Sequence, residues 1–156
     1  MKVHFLWTGK SKQKSYQQLV DLYKDRLKHY CTVSLQELKE VKQKGLSKDQ
    51  FKDKEADLFI DQLQNLDYVV LLDERGKQMS SMQLSQWIQH KMNISVNRCV
   101  FIIAGAFGAA PKLMDRSDYK FSLSHLTLTH DMARILLMEQ VYRGHTILRG
   151  EKYHNE

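Results

Sequence analysis

Four side chains near the C-terminus have the types and spacing for chemistry: His130, Arg134, Tyr153 and His154. An imidazole titrates near neutral pH, which suits His154 to accepting a proton. His130 and Arg134 stand four residues apart and share a face if the segment is helical; a guanidinium there can hold a phosphate or a developing anion. An aromatic ring such as Tyr153 stacks on any nucleobase. Plainer readings stand beside these, a solvated helix start for His130 and a frayed chain end for Tyr153-His154. A second set lies at the ends of strand-like runs. Leu72 closes YVVLL, Gly105 follows VFII in the small-residue loop AGAFGAA, and Ser124, His125, Leu126, Thr127, Leu128 and Thr129 form a run of hydroxyls and apolar residues. Small residues let a backbone approach a ligand closely. Core packing, a tight turn and an ordinary edge strand are the alternatives for these three places.

Several chemistries lack their residues. There is no GxxxxGK[ST] for a phosphate loop, and Gly105-Ala106-Phe107-Gly108 is only a GxxG where a dinucleotide fingerprint needs GxGxxG. Neither HExxH nor a Cys/His pattern of zinc spacing occurs, so no metal is expected. No GxSxG elbow supports acyl transfer through serine. Cys31 and Cys99 belong to no CxxC pair and read as free thiols rather than a disulfide.

The elements that must position these residues alternate between strand and helix. Lys2–Thr8 reads as a strand ending at Gly9, and from Ser15 the residues Tyr16, Leu19, Val20, Tyr23, Leu27 and Tyr30 fall on one helical face. Thr32–Leu38 alternates as a strand. A lysine-rich stretch, KEVKQKGLSKDQFKDK, leads to a helix that Ser47 can cap, with Phe51, Leu58, Phe59, Leu63 and Leu66 inward. That stretch is either a solvated loop or a place where RNA phosphates release counterions. Tyr68–Leu72 is a buried strand followed by a polar loop, Asp73–Lys77. Ser80 or Ser81 caps the next helix, whose inner face is Met82, Trp87, Ile88 and Met92. Val100–Ile103 is a buried strand, Pro111 opens a helix, Ser122–His130 is strand-like, and a helix runs from Asp131 to about Arg143. The pattern predicts one α/β domain over residues 1–156, a mostly parallel sheet flanked by helices with a ligand place at the strand C-termini.

Composition agrees with that. Hydrophobic residues are 42% and charged residues 27%, as in globular proteins, and the net charge of +6 leans slightly toward a polyanionic partner. No apolar run approaches the roughly 20 residues of a membrane span, and the N-terminus is too short for a secretion signal, so a cytoplasmic protein without membrane contact is expected.

The Gly105/Gly108 loop, the SLSHLTLTH run, the His130-x-x-x-Arg134 helix start and the terminal Tyr153-His154 together resemble the single-domain SPOUT RNA methyltransferases. Within them the chain is most similar to the ribosomal RNA large subunit methyltransferase H group, along essentially its whole length. The resemblance implies a trefoil knot near the C-terminus and S-adenosylmethionine (SAM) as cofactor. It also implies a homodimer with the site at its interface, and methylation of N3 of a pseudouridine in 23S rRNA (position 1915 in the family's ribosomal numbering). It assigns Leu72, Gly105 and Ser124–Thr129 to the cofactor, and His130, Arg134, Tyr153 and His154 to the acceptor. Two departures from the family pattern are Ala104 in place of the first of two glycines and Phe107 in place of a polar or acidic residue. Methyl transfer suits the missing metal and nucleophile motifs, because a sulfonium donor is already activated and the protein mainly positions the reactants. The alternatives are a non-catalytic RNA-binding or ribosome-assembly module on the same fold and, with less support, a Rossmann-type oxidoreductase.

Overall fold

In the computed structural model, which describes residues 1–154, ten elements follow one another. They are β1 (Lys2–Thr8), α1 (Lys14–Leu27), β2 (Val33–Leu38), α2 (Lys48–Ile60), β3 (Tyr68–Lys77), α3 (Ser81–Asn93), β4 (Arg98–Ile103), α4 (Pro111–Arg116), β5 (Tyr119–Phe121) and α5 (His130–Leu148). All strand pairs are parallel, and the order across the sheet is β2-β1-β4-β3-β5. Every strand therefore ends at the same edge, where the loops after β1 to β5 meet.

Side chains of a strand alternate between faces, and here both faces are covered. Val3, Phe5, Trp7, Val70, Cys99, Phe101 and Ile103 point into a core shared with Leu27, Leu84, Ile88, Leu137, Met138 and Val141 of α1, α3 and α5. Leu6, Val69, Leu71, Val100 and Ile102 point the other way, onto Ala56 and Phe59 of α2 and Leu113 of α4. Capping boxes start α2 and α3, in which Ser47 pairs with Gln50 and Ser80 with Gln83. Pro111 occupies the first turn of α4, and the Thr129 hydroxyl caps α5. Cys31 and Cys99 are free thiols.

Three expectations about elements fail. Residues 122–129 are a loop, not a strand: the hydroxyl of Ser124 accepts from Leu126 N–H at 2.9 Å, and such local hydrogen bonding competes with a sheet ladder. The segment Asp73–Lys77 is not a free loop but the irregular end of β3. Leu72 and Lys77 both stand opposite Phe121, so residues 73–76 bulge out between them. Gly76 permits this, since a Cβ there would sit 2.7 Å from the Lys120 backbone. On α2, the helix ends at Ile60 and Leu66 is 88% exposed; of the expected inner residues Phe59 is fully buried, and Glu55 and Ala56 share its stripe. Helix α5 runs a further turn past Arg143, to Leu148. No helix among the described residues is long and apolar enough to cross a membrane.

Candidate active site

The strand order puts β3 between β4 and β5, so Leu72 lies opposite both Ile103 and Phe121. Beyond that point the three chains diverge and leave a cleft of about 380 Å³, within the range of small-molecule sites. Its walls are the β3 bulge (Leu72–Arg75), the glycine loop (Ile103–Ala109) and the loop after β5 (Leu123, Ser124, Leu126, Thr127 and Leu128), closed by His130 and Ala133 at the start of α5. Leu72, Gly105, Ser124, Leu126, Thr127 and Leu128 thus come together as the sequence suggested. His125 and Thr129 do not line the cleft. Thr129 is the α5 cap, accepting from Met132 N–H at 3.4 Å.

The glycine loop owes its shape to a residue that sequence reasoning missed. The carboxylate of Glu55, 3% exposed, accepts from Gly105 N–H at 2.8 Å and from the Thr8 hydroxyl at 2.8 Å. It joins α2, the end of β1 and the start of the glycine loop. A Cβ on Gly105 would lie 2.4 Å from Glu55 Oε1, so it is Glu55 that demands glycine, rather than the cofactor slot. The turn closes with Gly108 N–H donating to Gly105 O at 2.9 Å and Gly108 at φ +77°. A carboxylate in register with Phe51 and Phe59, four residues from each along α2, was the available signal.

On the bulge, Asp73 Oδ1 accepts from Arg75 N–H at 2.8 Å and from Arg75 Nε at 3.2 Å. Burial alone would raise the Asp73 pKa, but these bonds hold it below the usual carboxylate range, so the cleft wall carries a negative charge.

Arg134 stands elsewhere. Its side chain is buried, donating to Thr8 O at 2.7 Å and to Asp131 at 3.3 Å, with the guanidinium 5.2 Å from the Trp7 ring centroid. Burial lowers its pKa, and its Nε has no partner among the described residues. The expected phosphate ligand is instead a strut between α5 and the end of β1.

Tyr153 and His154 pack on α5, away from the cleft. Tyr153 O–H donates to Glu139 Oε1 at 3.2 Å, and its ring meets Tyr142 edge-on at 4.8 Å and lies under the Arg143 guanidinium at 4.7 Å. Arg143 binds Glu139 at 2.6 Å and reaches His154 Nδ1 at 3.3 Å. Burial, with hydrogen bonds to Tyr23 and Glu139, pushes the Tyr153 phenol up to about 12, so it stays a neutral donor. Glu139 and Arg143 follow His130 by nine and thirteen residues on one helix, which sets this patch roughly 14 to 20 Å along the axis from the cleft.

Comparison with known proteins adds the family. Residues 1–154 match the model of a family described as predicted SPOUT methyltransferases. Proteins named ribosomal RNA large subunit methyltransferase H are similar over the full length. The one from Christiangramia forsetii is 40% identical over 156 residues, covering 99% of each chain. Those from Phocaeicola vulgatus and Flavobacterium johnsoniae are 41% and 40% identical over 157 residues, covering 100% of each. A solved structure, the SpoU methyltransferase AviRb from Streptomyces viridochromogenes in complex with AdoMet, overlaps 92% of this chain and 57% of its own with a TM-score of 0.39 at 10% identity.

Proposed function

We infer that this chain, which belongs to the SPOUT methyltransferase family, is an enzyme that methylates large-subunit ribosomal RNA with SAM as donor. The observation that carries this reading is the full-length likeness to relatives of that name, joined to a cleft built by three strand-end segments. The acceptor implied by the family resemblance is N3 of a pseudouridine, and the chain works as one domain with the family's trefoil knot. The reading assigns no metal and expects a cytoplasmic protein.

The residues fit the cofactor. Leu72, Leu126 and Leu128 offer apolar surface for a purine, loop backbone can meet its edge, and the ionised Asp73 complements a cationic donor. Ser124 and Thr127 add hydroxyls, while His125 and Thr129 help through the loop they flank. SAM supplies an electrophilic methyl group. The protein's part is to hold the acceptor nitrogen in line, exclude water and take up its proton. His130 stands at the cleft. Tyr153 stacks on or hydrogen-bonds the base, and His154 receives the proton.

One chain cannot supply both halves, because its own Tyr153-His154 patch lies roughly 14 to 20 Å from His130 along α5. A homodimer resolves this, with the tail of one copy facing the cleft of the other. Leu19 and Leu22 of α1 and Met132 of α5 are 38%, 41% and 44% exposed on helices that pack together, apolar side chains that a second copy would cover. The test is to incubate the protein with SAM and 23S rRNA, free or in subunits, and identify the modified nucleoside by mass. The expected product is N3-methylpseudouridine. SAM binding without methyl transfer to any of these RNAs would favour the non-catalytic module.

A further inference from the structure

Charge is divided unequally along the edge where the cleft opens. The loops after β1 and β2, residues 9–13 and 39–47, carry five lysines (Lys10, Lys12, Lys39, Lys42 and Lys44) with Lys14 opening α1 beside them, and one carboxylate, Glu40. Glu40, itself exposed, lies against Gly9, where a Cβ would fall 2.2 Å from its Oε1. Lys12, Lys39, Lys42 and Lys44 are exposed, and no ion pair among the described residues engages them. On the far side of the cleft, the end of β3 carries Asp73 and Glu74 but also the exposed Arg75 and Lys77, so it has no excess of either charge. The sheet is parallel, so all these loops stand at one edge, and its order sets the basic loops beside the glycine loop of β4.

The glycine loop also touches the basic side directly. Phe107, at the cleft, meets Phe51 of α2 edge-on at 5.3 Å, and Lys48 Nζ lies 5.8 Å from the Phe107 ring centroid. A basic surface therefore runs from the β2 loop through Lys48 to the rim of the cleft, and the excess of cations ends at the β3 bulge.

Building on the methyltransferase reading, we propose that this surface is the RNA track: the substrate's phosphate backbone crosses the β1 and β2 loops, held by Lys12, Lys39, Lys42 and Lys44, and enters the cleft past Phe107. Flexible lysines on loops suit phosphates, which they meet as point charges without reading sequence. The other rim offers no such excess of cations, so the strand approaches from the lysine side and presents its base toward the cofactor. The lysine-rich stretch is thus a docking surface rather than a solvated loop.

The test compares two triple variants of equal charge. Lys39→Gln, Lys42→Gln and Lys44→Gln remove cations from the track. Lys2→Gln, Lys24→Gln and Lys28→Gln remove as many from the opposite edge and the end of α1 nearest it. Binding of SAM-loaded protein to a short single-stranded RNA is followed across roughly 50 to 200 mM salt. The track variant should lose about 2 units of the slope of log affinity against log salt, and roughly 10-fold or more in affinity at the low-salt end. Its SAM affinity should stay at the parental level, and the control variant should keep the parental slope. Equal behaviour of the two variants, whether both lose or neither does, overturns the track and leaves the methyltransferase reading in place. So does a track variant that binds naked RNA normally but no longer binds the large subunit, because the surface would then meet ribosomal protein. A parent that binds SAM yet methylates no RNA removes the functional reading instead.

Discussion

The cleft and the Tyr153-His154 patch are held by different means, and each suits a different task. Backbone defines the cleft: three strand ends fixed by parallel pairing, a bulge around Phe121, and a glycine loop pinned by the buried Glu55 carboxylate. The patch depends on side chains, with Tyr153 and His154 resting on Glu139, Tyr142 and Arg143 of α5 and Tyr153 also on Tyr23 of α1. A cofactor site gains from rigidity before the ligand arrives. An acceptor site must admit a large RNA, and contacts made by side chains at the end of the described chain can be exchanged for contacts to RNA or to a second chain. On the proposed reading, the difference is that between two half-sites which a second copy of the chain completes.

The largest predicted effect separates the halves. Replacing both Tyr153→Ala and His154→Ala should lower methyl transfer roughly 100-fold, as expected when a reactant is misplaced by about 1 Å, while SAM affinity by calorimetry changes little. A comparable fall in SAM affinity would merge the two regions.

Gly105→Ala strikes the other half. The new methyl displaces Glu55 and strains its bonds to Gly105 and Thr8, so SAM affinity should fall roughly 10-fold, with a stability loss of about 2 kcal/mol in denaturant titration. Glu55→Gln keeps an oxygen for the Gly105 N–H and an amide for the Thr8 hydroxyl, and should retain most of the SAM affinity. If Gly105→Ala binds SAM like the parent, Glu55 does not organise the cleft.

How much of this the sequence disclosed follows the same division. The strand ends at Leu72 and before Gly105 were legible in local pattern, while the assignment of Leu72, Gly105 and Ser124–Thr129 to a cofactor came from the family resemblance, and of that run His125 and Thr129 do not line the cleft. The strand order and the Glu55–Gly105 bond join residues 50 positions apart, which no local pattern encodes. Arg134 shows the limit most clearly. Spacing put it on a face with His130, but only the packing of Trp7 and the Thr8 carbonyl tells that its charge is turned inward. The 122–129 segment alternates as a strand would, and its own hydroxyls make it a loop instead.

A smaller effect concerns acid. His145, buried on α5 beside Tyr30 and Arg149, has its pKa lowered to about 4 by burial, so the folded protein keeps it neutral. The unfolded chain binds its proton near pH 6.5, and stability is therefore full above that pH and lost as pH falls toward 4. The loss from this residue should be about 2 kcal/mol by pH 5. Denaturant titrations at pH 7 and 5 should show it, and His145→Gln should flatten the dependence. An unchanged dependence in that variant would move the acid sensitivity off this part of α5.

The most direct measurement of the two-half account uses mixed dimers. A Gly105→Ala chain has a damaged cleft and an intact tail; a chain with Tyr153→Ala and His154→Ala has the reverse. Assayed at SAM well below saturation, the Gly105→Ala homodimer should fall roughly 10-fold in activity and the tail-variant homodimer roughly 100-fold. Heterodimers purified through two different tags should recover roughly half of the parental methyl transfer, because one of the two symmetry-related sites then combines an intact cleft with an intact tail. Heterodimers no more active than the two homodimers would contradict the account, placing cleft and tail of each working site in the same chain.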